Sequence, residues 1–269
     1  MPRPIWKGAI SFGLVTIPVA LSPATESRRP SFHQLRRDDH SRIRYRRVAE
    51  SDGAEVRLDD IVKGFEVEKD RYVVFTDEEV EAALKARRGG MVEVAQFVDA
   101  GQIDPVYYRQ SYYLAPEKAG VKAYRILVRA LAESGVVGLA RVALREREYP
   151  ATLRPAEGVL LLETMYWPDE IREPAFEILE EPVRIRSEEL KLARTIIDNL
   201  TAPFDPSAWV DESREAVEEL ARRKVAGEEV VAAEAQPVAG VIDLMEALRA
   251  SVEATEKRTA TRKKRAAAG

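Results

Sequence analysis

A chain of 269 residues, 45% hydrophobic and 33% charged, can bury a substantial core in one large domain or two small ones. Its formal net charge of −4 argues at first against a polyanionic partner, but residues 156–235 alone hold 20 acids and 9 bases, a net of −11, so the basic charge collects elsewhere. There is no cysteine, which excludes a disulfide framework, thiolate chemistry and Cys-ligated zinc, and no apolar run approaches the ~20 residues needed to cross a bilayer.

The N-terminus imitates a secretory signal, with Arg3 and Lys7 ahead of an apolar stretch at 9–21. Gly13 and Pro18 interrupt that stretch, and Ile10, Phe12 and Leu14 alternate with Ser11 and Gly13 as in a strand. Residues 5–21 are therefore predicted to form a strand pair, with Gly8 and Gly13 permitting a bend or bulge and Pro18 near an edge. Lys7 stands in this otherwise apolar strand. An amine whose pKa is depressed by burial can form a Schiff base with an abasic sugar. The more ordinary fate of such a lysine is to reach the strand edge and keep its charge in water.

After a polar exit at 22–30 comes the most basic part of the chain. Residues 28–47 contain Arg28, Arg29, Arg36, Arg37, Arg42, Arg44, Arg46 and Arg47 against Asp38 and Asp39. Over 42–46 arginine alternates with Ile43 and Tyr45, so an extended backbone sends three guanidiniums to one face and two apolar groups to the other. Arginine's planar fork binds phosphate oxygens bidentately and stays charged at any working pH. Fully extended, the stretch spans roughly 65 Å, ample to cross a DNA major groove about 12 Å wide. A phosphate-binding arm and a solvated arginine-rich hairpin both fit this composition. His33 and His40 flank the two aspartates, but they do not share a helical turn and no third ligand stands at a recognisable spacing, so a metal site is not favoured.

Ser51-Asp52-Gly53 signals a turn, and Val56, Ile61, Val62, Phe65 and Val67 follow in short extended pieces. Arg71–Phe75 is predicted as a strand. Thr76 and Glu79 form a capping box that opens a helix over 77–88, stopped by Gly89-Gly90. Strands are predicted at 91–98, 106–114, Val136–Leu144, 149–153 and Val159–Met165, broken by Asp104-Pro105, Ala115-Pro116 and Glu157-Gly158. One helix, Val121–Ser134, interrupts them, with Leu127 and Leu131 at helical spacing and Gly135 as its stop. This is a mixed β with α chain, and several short strands around a single helical crossover suggest a barrel or a strongly curved sheet.

Beyond Asp169 the composition becomes helical and acidic. In Ser187–Leu200 the residues Leu190, Ala193, Ile197 and Leu200 form an apolar stripe, with Ser187 as cap and Glu188 and Glu189 at the positive end of the dipole. Asp205-Pro206 is predicted to open a second helix that ends at Gly227. Residues 228–240 read as a linker, 241–257 as an amphipathic helix with Ile242, Met245, Leu248 and Val252 on one face, and 258–269 as a disordered basic tail. That apolar face either docks in a partner's groove or packs on its own domain. The tail either adds nonspecific DNA affinity or serves as a solubilising end. The adjacent carboxylates Glu180-Glu181 and Glu188-Glu189 read as a solvated face. No nucleophile elbow, phosphate-binding loop or dinucleotide fingerprint is present, so no catalytic residue is assigned.

Many uncommon strings, in order and over nearly the whole chain, resemble bacterial Ku proteins. They include IWKGAISFGLV from Ile5 with Ile17-Pro18-Val19, His33-Gln34-Leu35, RIRYRRV from Arg42, DIVKGFE from Asp60 and YVVFTDEE from Tyr72. Further ones are IDPVYY from Ile103, YYLAP from Tyr112, LARVALREREY from Leu139, LETM from Leu162 and DLMEALRAS from Asp243. The resemblance implies a Ku-like β-barrel core at 1–186 with an inserted DNA-encircling bridge at about 24–75, a helical dimerisation arm at 187–227, and a linker, amphipathic helix and short basic tail at 228–269. It further implies a ring-shaped homodimer that threads onto double-stranded DNA ends and recruits an ATP-dependent DNA ligase in non-homologous end joining. Such a protein turns nothing over, needs no cofactor or membrane, and works in the cytoplasm at the nucleoid.

On that basis the eight arginines of 28–47 are the expected DNA contacts, and Leu190, Ala193, Ile197 and Leu200 the expected dimer contacts. Ile242, Met245, Leu248 and Val252 are the residues expected to recruit the ligase. A bridge neutralising about 8 phosphates gives a log K against log[salt] slope near −7. So polar a bridge, poor in large apolar side chains, is not expected to fold alone. Two rival readings remain: a DNA-end-processing lyase using the Lys7 amine, and an interaction protein whose arginines bind an acidic protein surface.

Overall fold

Alternation in the N-terminal apolar stretch becomes a hairpin. Strands β1 (Trp6–Phe12) and β2 (Val15–Pro23) pair antiparallel around Gly13, whose φ of +58° a side chain would strain. The computed structural model describes residues 3–85, 90–144, 147–227 and 244–266. They divide into two compact units, the first built from Met1–Arg28 and Phe32–Glu173, the second from Arg29–Ser31 and Pro174–Gly269.

In the first unit a long excursion after β2 ends in a two-stranded sheet, β3 (Lys63–Glu68) and β4 (Arg71–Phe75), and in helix α1 (Asp77–Lys85). The predicted capping box is present: Glu79 N–H donates to Thr76 Oγ1 (3.1 Å) and Thr76 N–H to Glu79 Oε2 (2.9 Å). The predicted end of this helix beyond residue 85 lies outside the described residues. Then follow β5 (Met91–Asp99), β6 (Tyr108–Pro116), α2 (Val121–Ser134), β7 (Val136–Leu144), β8 (Arg147–Ala156) and β9 (Val159–Met165). Strand β6 starts later than predicted because Asp104-Pro105 makes a turn of its own, the Asp104 carboxylate accepting Val106 N–H (2.9 Å).

Seven strands close into a barrel in the order β1-β2-β6-β9-β8-β7-β5. Closure is made by β1 lying parallel to β5 from Ala9↔Met91 to Ser11↔Glu93. Pro18, expected near an edge, lies just before the β2–β6 ladder begins at Val19↔Pro116, and its carbonyl accepts Glu117 N–H (2.9 Å). Inside stand Ile10, Ile17, Leu21, Val92, Leu114, Val142, Leu153, Leu160 and Leu162, all fully buried.

Helix α2 closes one end of the barrel. It buries Tyr124, Leu127 and Leu131 and stops at Gly135, φ +67°. The Tyr124 hydroxyl donates to Leu114 O (2.5 Å) and accepts Leu160 N–H (2.7 Å), bolting the helix to two strands. Burial raises the pKa of this phenol, so it keeps the proton it donates.

The second unit carries α3 (Ser187–Leu200), α4 (Glu212–Val225) and α5 (Leu244–Ala266). Three predictions are corrected here. The α3 terminus is capped by Glu189, which accepts Arg186 N–H (2.7 Å), and Ser187 is already inside the helix. Asp205-Pro206 opens only a short 3₁₀ turn because the Asp205 carboxylate captures both Ser207 N–H (2.9 Å) and its hydroxyl (2.7 Å). Trp209 is then extended, and α4 starts afresh where the Asp211 carboxylate accepts Arg214 N–H (3.0 Å). The tail predicted as disordered instead continues α5 to Ala266. The 228–240 linker lies outside the described residues.

The barrel seam makes one position intolerant. A Cβ on Gly8 would fall 2.0 Å from Gly90 O and 2.3 Å from the Trp6 ring, whereas one on Gly64 would meet nothing nearer than 3.5 Å. Gly8→Ala should therefore lower the unfolding free energy measured by urea denaturation by at least about 2 kcal/mol, and Gly64→Ala should cost under about 1 kcal/mol.

Candidate nucleic-acid interface

The arginine stretch folds as two consecutive loops. In the first, Arg36 N–H donates to Ser41 O (2.8 Å), Ile43 N–H to Gln34 O (3.0 Å), and Leu35 bridges to Arg42. His40 takes φ +55° at the tip, and Asp39 ties the turn by accepting Ser41 N–H (3.1 Å) and the Arg36 guanidinium (Nε to Oδ1, 2.9 Å). In the second, Val56 N–H donates to Arg47 O and Ala49 N–H to Ala54 O, both 2.9 Å, around the predicted turn, where Gly53 has φ +70°.

Residues 42–47, predicted as extended from their alternation, make one isolated bridge, at Arg42, and no strand ladder. Every residue from 25 to 48 is exposed, so both the arginine face and the Ile43/Tyr45 face are open, Tyr45 by 80%. Tyr45 donates its hydroxyl proton to Gln34 and holds the two legs of the first loop together.

The eight arginines are not equivalent. Arg28 pairs with Glu26 (2.7 Å), Arg36 with Asp39, and Arg46 with Glu55 (2.7 Å). Arg29, Arg37, Arg42, Arg44 and Arg47 have no carboxylate partner among the described residues. Exposed ion pairs contribute little because water and salt screen them, so the three paired forks are restrained only weakly. Arg36 and the Ser41 amide hold the Asp39 carboxyl well below the usual carboxylate range, so Asp39 remains an anion inside the basic loop. Arg29 groups with the second unit, whereas Arg28 and 32–47 belong to the first.

The excursion that carries these loops is richer in apolar surface than predicted. Phe32, Tyr45, Phe65, Val67, Tyr72, Val73, Val74 and Phe75 are all exposed. It is left uncovered by its own chain, not short of apolar side chains. Lys7 is exposed on β1, so the burial on which its nucleophilic role would rest is missing. Among the described residues no three His, Asp or Glu side chains gather as a metal site would need.

In the second unit, Asn199 Nδ2 donates to Thr255 Oγ1 (3.2 Å), joining α3 to α5. Met245, Leu248 and Val252 fall on the Thr255 face and are half-buried there, while Ile242 lies outside the described residues. On α3, Leu192 and Ile196 share the Asn199 face and are half-buried, as is Ala193. Leu190, Ile197 and Leu200 stay 46%, 63% and 58% exposed.

Sequence reading missed Arg109. Its guanidinium lies 5.1 Å from the Tyr149 ring centroid and 5.6 Å from that of Tyr166. The local signal was an arginine set among Tyr107, Tyr108, Tyr112 and Tyr113.

The family model of the Ku70/Ku80 beta-barrel domain matches residues 11–192, more than half of the chain. Non-homologous end joining protein Ku of Frankia casuarinae is 51% identical over 253 residues, which are 94% of this chain and 64% of that protein. The proteins of the same name from Desulfitobacterium hafniense and Heliobacterium modesticaldum are each 42% identical, over 94% and 93% of this chain and 88% and 91% of their own lengths. A closed barrel bearing a long insertion with an arginine-rich stretch, matched over this length and at these identities, makes the chain a member of the Ku family.

Proposed function

We propose that this chain binds the ends of double-stranded DNA without regard to sequence, as a homodimer that encircles the duplex, and passes them to an ATP-dependent DNA ligase in non-homologous end joining. The observation that carries the reading is the set of exposed arginines at 28–47, five of them without a carboxylate partner among the described residues. The names of the relatives, which speak of end joining, agree with it.

A protein that must accept any break has to read what all breaks share, which is backbone and not base edges. Guanidinium forks do so, because each phosphate they neutralise releases condensed counterions. Encirclement then replaces sequence specificity with topology, since a closed ring enters only at an end. Nothing is turned over, and no residue is assigned a catalytic role. The lyase reading has no structural support in Lys7, which is exposed.

The dimer reading rests on uncovered apolar surface. Leu190, Ile197 and Leu200 remain open on the side of α3 away from α5, and Phe204 and Trp209 are exposed beyond it. Contiguous apolar exposure on this scale marks a partner surface. Ala193, half-buried, edges the same stripe. The ligase docks on α5 through Ile242, Met245, Leu248 and Val252. Because the last three share their face with α3, docking exchanges that intramolecular contact for an intermolecular one.

Linear duplex should bind far more tightly than a covalently closed circle of the same length and sequence in a gel shift. Equal affinities would sink the encircling reading. Alanine at Arg37, Arg42, Arg44 or Arg47 should reduce the salt slope by about 1 per subunit, equally for unrelated DNA sequences. Asp39→Asn, which frees Arg36, should tighten binding by up to about fivefold, the worth of one exposed ion pair. Ile197→Glu should lower the mass measured by light scattering toward that of a monomer, and an unchanged mass would count against the α3 interface.

A further inference from the structure

The barrel has two ends, and only one is filled. Tyr124 and Leu127 of α2 block the first. At the other end is a cavity of about 260 Å³, lined by Trp6, Arg109, Gln110, Tyr112, Tyr149 and Thr164 among others, none of them acidic. We infer that this open mouth is a second binding site, which takes one unpaired nucleotide of a DNA strand, with the phosphate on Arg109 and the base among the rings of Trp6 and Tyr149.

Arg109 is aimed there by a defect in the sheet. Strand β6 pairs Tyr108↔Met165 and then Gln110↔Thr164, so Arg109 is the extra residue of a β-bulge. Strict alternation with the buried Tyr112 and Leu114 would send Arg109 to the outside of the barrel. The bulge turns it over the mouth, where its guanidinium lies 5.1 Å from the Tyr149 ring centroid and 5.6 Å from that of Tyr166. A cation–π contact needs no hydrogen bond, and among the described residues Arg109 makes none, so its N–H donors are free for a ligand. No carboxylate pairs with this arginine among the described residues, and it is exposed. Neighbouring Arg147 also approaches the Tyr149 ring, at 5.9 Å from its centroid, but is paired with Glu170 (3.5 Å).

A flat fork with free donors, beside aromatic rings and with no acid among the described lining residues, suits a ligand with an anionic oxygen cluster next to a flat ring. A nucleotide is that ligand. Rings accept any base because every base has a π face. The cavity lies just below the roughly 300–1,000 Å³ of sites for whole small molecules, which suits one nucleotide and not a folded strand. The choice of a nucleotide over other ring-bearing anions rests on the DNA-end reading above. A frayed or overhanging strand supplies one, whereas an intact duplex keeps its bases stacked.

The test uses the full chain and 5′-phosphorylated tetrathymidylate with a 3′ fluorophore, followed by anisotropy. Arg109→Gln and Tyr149→Leu should each weaken binding by about tenfold, the worth of one stacked or charge-assisted contact. Arg109→Lys, which keeps the charge but loses the fork, should fall between. Affinity of Arg109→Gln for blunt linear duplex should match the parent, which also shows that the variant is folded. Unchanged tetrathymidylate affinity in Arg109→Gln overturns the site, as does displacement by tetraglutamate as effective as by unlabelled oligonucleotide, which would mark the mouth as a seat for an acidic peptide. Failure of the parent to prefer linear over circular duplex would remove the end-binding reading, yet Arg109-dependent tetrathymidylate binding would still uphold the mouth.

Discussion

Closure of the barrel at a single parallel seam is the constraint on which the rest depends. Strand β1 lies between β2 and β5, antiparallel to one and parallel to the other. The parallel contact is close enough that Ala9 N–H reaches Gly90 O (2.9 Å) and Gly8 has no room for a methyl group. The long excursion that carries the arginine stretch departs from β2 and rejoins at β5, so both its ends are anchored on strands that flank β1. A barrel that failed to close would lose the fixed spacing of those two roots. Closure also removes sheet edges, which in a chain with this much β structure would otherwise template aggregation.

The acidic total charge and the polyanionic ligand are reconciled by range. At physiological ionic strength the Debye length is about 8 Å, so a phosphate brought to the 28–47 loops would respond to the guanidiniums around it and hardly to carboxylates further along the protein. What matters locally is which forks are already engaged. Asp39 and Glu55 each hold one arginine of the block and also shape the loops, Asp39 through the Ser41 amide. These acids limit the basic face and help to build it. Shape and charge are thus set by the same few side chains.

Exposed apolar surface is the other unresolved debt of a lone chain. The β3–β4 sheet and the stripe on α3 both leave large side chains in water that a single copy does not cover. Helix α5 covers one face of α3, and it does so with the stripe whose docking role was read from sequence. An amphipathic helix in isolation does not specify whether its apolar face meets its own domain or a partner, because both remove the same area from water.

Much of the architecture was legible in local patterns. The spans of β4, β7, β9, α2 and α3, the Thr76–Glu79 capping box and the Gly135 stop follow from period, propensity and capping chemistry, all of which act within a few residues. The basic block, too, is visible as composition. What local pattern did not reach was decided partly by competition among neighbouring hydrogen-bond partners and partly by contacts distant in sequence. The start of α4, the cap of α3 and the helical tail turned on which nearby donor or acceptor won a given bond. Three arginines are paired by carboxylates two to nine residues away in the folded loops, whereas Arg109 is turned over the barrel mouth by a bulge set by the register between β6 and β9, strands far apart in the chain. The sequence by itself determined the elements, the charge polarity and the family strings, because these are properties of neighbours. Only the tertiary structure decided which side chains remain free to meet a ligand, because a side chain's freedom is set by whatever folding brings beside it.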